Sequence, residues 1–250
     1  MSSLRSPVAP PIRIGTAGWS LPKAEQHAFP AEGTHLERYG ARLPVVEINS
    51  SFYRPHRPAT YARWAASVPA GFRFAVKVPR TITHERRLHD ADALLDAFLG
   101  EATALGPSLG CLLVQLPPSL RHDPPVVDAF LAALRARHDG PVALEPRHPS
   151  WFTPEAERPL RAHGVARVAA DPAPVPAAAE PAGDPRLVYV RLHGSPRIYY
   201  SDYDAAYLDA LAVRLRALAD GGADVWCIFD NTALGCATAN ARALKARLGG

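Results

Sequence analysis

The sequence predicts an α/β fold of one kind, a single TIM-type (β/α)8 barrel: a closed parallel sheet ringed by outer helices. Three observations predict it. Eight short apolar runs recur along 250 residues, stretches of helical periodicity separate them, and six of the eight close on a residue able to do chemistry. The length suits one such barrel rather than two domains, and a hydrophobic content of 48% is enough to fill its core. The expected division is a flexible tail at 1–11 and a barrel at 12–250.

The elements follow in order. The first strand is Ile12–Thr16, and a short helix near His35–Ala41 leads to the second, Val45–Asn49. A helix near Ala59–Ser67 precedes the third strand, Arg73–Lys77. The helix Ala91–Leu105 carries apolar residues at helical spacing and has Asp90 as its expected N-cap. The fourth strand is Cys111–Gln115, followed by the helix Pro125–Arg137 behind an Asp123 cap. The fifth strand, Val142–Glu145, is joined by a helix near Pro154–His163 to the sixth, Val165–Asp171. A Pro/Ala-rich loop at 171–186, with five prolines and no period, then crosses the mouth as a lid or a plain surface insertion. Strand seven is Leu187–His193 and strand eight Val225–Asp230; the helices Tyr203–Ala219 and Ala237–Leu248 follow them. Strand then helix, repeated, implies parallel strands with right-handed crossovers.

Composition excludes several classes. No run of 18 apolar residues exists, and the N-terminal residues lack a secretion-type apolar core, so no membrane partner and a cytoplasmic location are expected. Cys111, Cys227 and Cys236 make an odd count without CxxC spacing, which argues against disulfides or structural zinc. The net charge of +4 is spread over the chain and carried almost wholly by arginine, with lysines only at 23, 77 and 245, so it is weak support for nucleic acid.

Side chains alternate across a strand, and in a barrel the outward set must be apolar to meet the helices. Val188, Val190 and Leu192 therefore face out, and Tyr189, Arg191 and His193 face in. The same argument turns Val45, Glu47 and Asn49 inward, with Arg73, Ala75 and Lys77, then Ala143, Glu145 and Arg147, and finally Trp226, Ile228 and Asp230. Charges in such an interior must be paired, so Glu47, Glu145, Asp171 and Asp230 are expected to meet Arg73, Lys77, Arg167 or Arg191. This is either a structural ion network or a site built on one.

The motifs along the chain are Gly15-Thr16-Ala17-Gly18-Trp19, Val46-Glu47-Ile48-Asn49-Ser50-Ser51-Phe52-Tyr53, Lys77-Val78-Pro79, Ile82-Thr83-His84, Gln115-Leu116-Pro117-Pro118-Ser119, Glu145-Pro146-Arg147-His148-Pro149-Ser150-Trp151, Arg191-Leu192-His193-Gly194 and Phe229-Asp230-Asn231. In this order, over about Ile12 to Leu248, they resemble the YecE-like family (domain of unknown function 72). The resemblance implies a TIM-type barrel and supplies no reaction; likenesses to sugar isomerases and barrel endonucleases are analogies.

The residues leave three functions open. The first is an enzyme, a hydrolase or isomerase, acting at the C-terminal mouth on a phosphorylated or polyhydroxylated small molecule. Glu145, Asp230, Lys77 and His193 are its candidate catalytic groups. Candidate substrate contacts are Glu47, Asn49, Trp19, Tyr53, Gln115, Arg147, Trp151, Arg191, Arg197, Tyr200 and Asn231. No cofactor is required, and the alternative is a divalent metal on Glu145, Asp171, His193 and Asp230. The second function is binding or cleavage of nucleic acid or another phosphodiester, with a phosphate cup at Gly194, Ser195, Arg197, Asn231 and Thr232. The third is a binding barrel without turnover. Lys77 is also a candidate Schiff-base nucleophile, although its neighbours Glu47 and Glu145 should keep it charged, and an ion-paired or substrate-anchoring role is the expected one. Oligomeric state is not readable.

Overall fold

The computed structural model describes residues 11–249, so all but the last residue of the expected tail at 1–11 lies outside the described residues. In chain order the elements are β1 (Ile12–Ala17), α1 (His35–Gly40), β2 (Val45–Ile48), α2 (Ser50–Tyr53), α3 (Pro58–Ala66), β3 (Arg73–Lys77), α4 (Asp92–Ala102), β4 (Leu109–Gln115) and α5 (Pro124–Arg135). There follow β5 (Val142–Glu145), α6 (Pro154–Ala162), β6 (Ala166–Arg167), β7 (Ala169–Asp171), β8 (Ala182–Gly183), β9 (Leu187–Leu192), α7 (Ala205–Asp220), β10 (Asp224–Phe229) and α8 (Cys236–Arg247).

The strands form one nearly closed, mostly parallel, barrel-like sheet in the order β7-β9-β10-β1-β2-β3-β4-β5-β6-β8. The expected sixth strand is broken at Val168. Its first piece, β6, pairs with β5, its second, β7, pairs with β9, and the Val168 amide donates to the Leu144 carbonyl at 2.9 Å. One run of chain therefore touches both neighbours of a gap by switching partner half-way along.

The loop at 171–186 is more ordered than its composition predicts. It holds a 3-10 turn at Pro176–Ala179, and β8 lies antiparallel on β6. Gly183 makes that approach feasible: its φ is 76°, and a Cβ there would lie 2.3 Å from the Val165 carbonyl oxygen.

Helix starts follow capping chemistry. Thr34 and Glu37 form a reciprocal capping box on α1, and Asp204 accepts from the Tyr207 amide at 2.8 Å to open α7. Asp123 caps α5 as expected, at 3.5 Å from the Val126 amide. Asp90 does not cap α4: its φ is 46°, the helix starts behind Ala91, and no side chain caps it.

The alternation of the strands separates two cores. Val46, Ile48, Phe74, Val76, Val114, Leu144, Val188, Val190 and Cys227 pack outward with the helices, while Val45, Ala75, Cys111, Leu113, Ala143, Tyr189, Trp226 and Ile228 fill the inside. The inner cluster is a solid plug under the C-terminal strand ends and not a pore. No helix among the described residues is long and apolar enough to cross a membrane.

Candidate functional site

Above this plug the inward positions turn polar. Arg191 on β9 is fully buried and engages three carboxylates from three other parts of the sheet. Its Nε donates to Glu47 Oε2 at 3.0 Å and its Nη2 to Glu47 Oε1 at 2.5 Å; Nη1 donates to Glu145 Oε2 at 2.7 Å, and Nη2 also reaches Asp230 Oδ2 at 3.1 Å. The planar fork of a guanidinium suits several acceptors at once, which an ammonium could not match. The Tyr189 hydroxyl, one inward position below Arg191, donates to Glu47 Oε2 at 3.0 Å.

His193 lies between the other two carboxylates, with Nδ1 3.1 Å from Asp230 Oδ2 and Nε2 2.8 Å from Glu145 Oε1. An imidazole facing a carboxylate at both nitrogens donates twice only as the imidazolium. Burial works against that charge, but Glu145 and the hydrogen bonds to both carboxylates outweigh it and hold the pKa above the ordinary value. Burial likewise opposes ionisation of Glu145, and Arg191, His193 and Arg147 overcome it, holding the carboxyl well below its usual range. Asp230 is lowered too: Arg191 and His193 outweigh its burial. Arg147 completes the set, with Nη2 2.9 Å from Glu145 Oε1. Glu47, Glu145 and Asp230 are thus balanced, three against three, by Arg147, Arg191 and His193.

Lys77 is the cation left over. It ends β3, its carbonyl accepts from the Ser51 hydroxyl at 2.7 Å, and its Nζ stands 4.2 Å from the centroid of the Phe52 ring. The residue is only 7% exposed, and among the described residues its ammonium has no hydrogen bond or ion pair. The expected pairing with Glu47 or Glu145 is therefore corrected, because Arg191 and His193 already occupy those carboxylates. Burial pushes the Lys77 amine down, Arg191 adds to this, and Glu47, Glu145 and Asp230 offset only part of it, leaving a pKa of about 8. His84 packs edge-on against the same Phe52 ring, its pKa lowered by burial and by Lys77, Arg80 and Arg147.

A cavity of about 330 Å³ opens beside the network. Glu145, Arg147 and His193 form its polar wall; Pro118, Pro146 and Ile198 line it, and the 171–186 loop adds Pro172, Ala173 and Pro174. The alternation signal could not have found these prolines, although the Leu116-Pro117-Pro118 and Glu145-Pro146-Arg147 motifs contain two of them.

The other expected residues scatter. Asn49 follows β2 with its Oδ1 buried and unpartnered, and Gln115 is nearly buried beside Glu145 in the β4–β5 register. Trp19 packs edge-on against Trp64, and Tyr53 is 71% exposed with its edge on Phe52. Trp151 cannot stack on a ligand: it is fully buried, and its indole N–H donates to the Leu120 carbonyl at 2.8 Å. The phosphate cup also dissolves. Asn231 is fully buried and its Nδ2 donates to the Ser201 carbonyl and Asn240 Oδ1; the Gly194 amide donates to the Tyr203 hydroxyl; and Arg197 lies over the Tyr200 ring at 3.8 Å.

Asp171 and Arg167 leave the inner network. Asp171 Oδ1 accepts from the Tyr203 hydroxyl at 2.8 Å, and Arg167 pairs with Glu157 on α6. Arg73 donates to the Phe72 carbonyl at the far end of β3. The donor set weighed for a divalent ion is not assembled, since Glu145, His193 and Asp230 face one another and Arg191 while Asp171 stands apart. Among the described residues no group of three or more His, Cys, Asp or Glu is arranged to hold a metal.

Comparison with known proteins gives a consistent result. The family described as "Protein of unknown function DUF72" matches residues 13–250. The UPF0759 protein YecE of Escherichia coli (strain K12) is 34% identical over 173 residues, 67% of this chain and 61% of that protein. The UPF0759 protein YunF of Bacillus subtilis (strain 168) is 29% identical over 149 residues, 57% of this chain and 53% of its own length. The chain thus spans less than two thirds of either relative. Among solved structures, a DUF72 family protein from Enterococcus faecalis V583 superposes with a TM-score of 0.81 at 24% identity, covering 95% of each chain. One from Thermotoga maritima MSB8 gives 0.79 at 24% identity, covering 96% of this chain and 99% of that one. These two likenesses concern the fold alone.

Proposed function

The chain belongs to the DUF72 family, and from that premise we propose that its sheet is a TIM-type (β/α)8 barrel whose mouth is the active site of an enzyme for a small phosphorylated or polyhydroxylated anion. The barrel reading counts β6 and β7 as two halves of a sixth strand that closes the ring, with β8 as an addition in the following loop. The C-terminal strand ends are where barrels of this kind carry their chemistry.

One observation carries the choice of ligand. Three buried carboxylates are balanced by Arg147, Arg191 and His193, and Lys77 adds a cation that no carboxylate claims. A protonated Lys77 leaves the mouth one positive charge in excess, in a dry setting where an anionic ligand is the natural complement. Arg147 borders the cavity, and its Nε is buried without a partner, so it is placed to grip that anion.

The roles expected of the carboxylates change accordingly. Glu145 and Asp230 are held ionised and hydrogen-bonded, so they do not donate protons near neutral pH; they set the field and orient His193. Lys77, with a pKa of about 8, is the group able to give and take a proton there. The reaction class stays that of a hydrolase or isomerase.

The test is calorimetric titration of the protein at pH 7.5 and low salt with inorganic phosphate, ribose 5-phosphate and neutral ribose. Phosphate-bearing ligands should bind, and Arg147→Met or Lys77→Met should weaken them about tenfold or more, the scale of a lost charged hydrogen bond. Affinity for ribose alone, or binding that both variants leave unchanged, overturns the proposal. Binding of oligonucleotides with a steep salt slope would replace it with the phosphodiester alternative.

A further inference from the structure

Resting on the anion-site reading above, we propose that Lys77 is a covalent nucleophile that forms an imine with the carbonyl carbon of an aldehyde or ketone ligand carrying a phosphate. Four features of its surroundings support this. The amine ends β3 beside the mouth, it is nearly buried, Phe52 lies under it at 4.2 Å, and among the described residues no acceptor occupies its protons. A lysine kept as a structural cation would be expected to hold a carboxylate, yet the three nearby are taken by Arg191 and His193.

An amine pKa of about 8 leaves roughly a tenth of Lys77 neutral at pH 7, against well under a thousandth for an ordinary lysine near ~10.4. The neutral Nζ lone pair attacks the carbonyl carbon; the C–N bond forms while the oxygen takes a proton, giving a carbinolamine. Loss of that oxygen as water then forms C=N, so amine and carbonyl yield imine and one water. The proton the oxygen gains is one the attacking nitrogen gives up, and His84 packs against the same Phe52 ring with Nδ1 2.9 Å from the Thr83 hydroxyl. No oxidant, reductant or metal is needed.

The chain is suited to the experiment because lysines occur only at positions 23, 77 and 245. Lys23 is exposed, and Lys245 donates to the Arg42 carbonyl at 2.9 Å, so both are internal controls. The whole protein is incubated at pH 7 with glyceraldehyde 3-phosphate or dihydroxyacetone phosphate and sodium cyanoborohydride, and the reduced adduct is located by peptide mass spectrometry. Labelling of Lys77 should exceed that of the exposed Lys23 by at least about tenfold. Excess inorganic phosphate should suppress it, and unphosphorylated glyceraldehyde should label it several-fold less.

Labelling spread evenly over the three lysines, or absent at Lys77, overturns the imine. If phosphate still binds and loses affinity in Arg147→Met, the anion site stands while the imine falls. If neither phosphate binding nor Lys77 labelling occurs, both fall. Because the wild-type protein carries the measurement, instability of a Lys77→Arg variant cannot mask the result.

Discussion

Arg191 and Glu47 meet inside the sheet through two hydrogen bonds, of 3.0 and 2.5 Å, although their strands β9 and β2 are separated by β10 and β1. The contact crosses the interior and does not follow the ladder. It couples strands early and late in the chain, and it fixes Arg191 so that its other nitrogens reach Glu145 and Asp230. Truncating Arg191 would leave Glu47 with only the Tyr189 hydroxyl and take one cationic partner from Glu145 and from Asp230, in a nearly dry setting. Losing one partner of a buried charge pair typically costs 3–5 kcal/mol.

Arg191→Met is therefore expected to lower stability by about 3–5 kcal/mol, while Tyr189→Phe, which removes one hydrogen bond to Glu47, should lower it by about 2 kcal/mol. Urea unfolding at pH 7 measures both. Equal losses would mean that the guanidinium does not organise the network.

The pH dependence of stability follows from the network, with opposite signs for different groups. His193 has a raised pKa, so its contribution is complete below about 6.5 and is lost as pH rises through the folded value. Glu145 and Asp230 have lowered values, so theirs is complete above about 4 and is lost as pH falls through the folded values. Lys77 acts differently: the fold disfavours its charge, and stability recovers as pH rises from about 8 towards 10.5. Urea midpoints across pH 4–10 should peak on the mildly acidic side. His193→Gln should flatten the alkaline fall, and Lys77→Met should remove the later recovery. A wild-type profile rising steadily from pH 6 to pH 8 would refute a charged His193.

Much of this site was legible as direction, and little of it as partnership. Period-two alternation turned Glu47, Lys77, Glu145, Arg191 and His193 inward, because an apolar outer face is obligatory where helices pack. It could not say that Arg191 would take three carboxylates and leave Lys77 none, since that depends on distances across a closed sheet. Trp151 and Asn231 misled for another reason: both follow strand ends, yet the carbonyls of Leu120 and Ser201, distant in sequence, draw them into the core. The break at Val168 was invisible because the two halves of Val165–Asp171 share one apolar pattern while serving different neighbours.

The Gly15-Thr16-Ala17-Gly18 motif separates two uses of glycine. Gly15 lies opposite Val45, and a Cβ there would stand 2.0 Å from the Val45 carbonyl oxygen, a backbone atom that cannot move without parting β1 from β2. Gly18 has open space around it but a φ of 79°. Gly15→Ala should cost about 3 kcal/mol or more, as overpacking against rigid backbone does, and Gly18→Ala about 1–2 kcal/mol from the left-handed conformation alone. Thermal or urea melts rank the two; the reverse order would mean that the strands separate easily at Gly15.

Phe52 and Lys77 provide the last test, because the ring lies 4.2 Å from the ammonium and is a favourable contact for it. A cation over an aromatic face gains about 0.5–1 kcal/mol, and a pKa unit corresponds to about 1.4 kcal/mol, so the ring should hold the amine up by about half a unit. In Phe52→Leu, burial is kept and that attraction is lost. The Lys77 midpoint, followed by nitrogen-15 NMR of the side-chain amine, should fall by about half a unit from its wild-type value of about 8. A rise would mean that water reaches Nζ once the ring is gone, and that Phe52 keeps the amine dry more than it stabilises its charge.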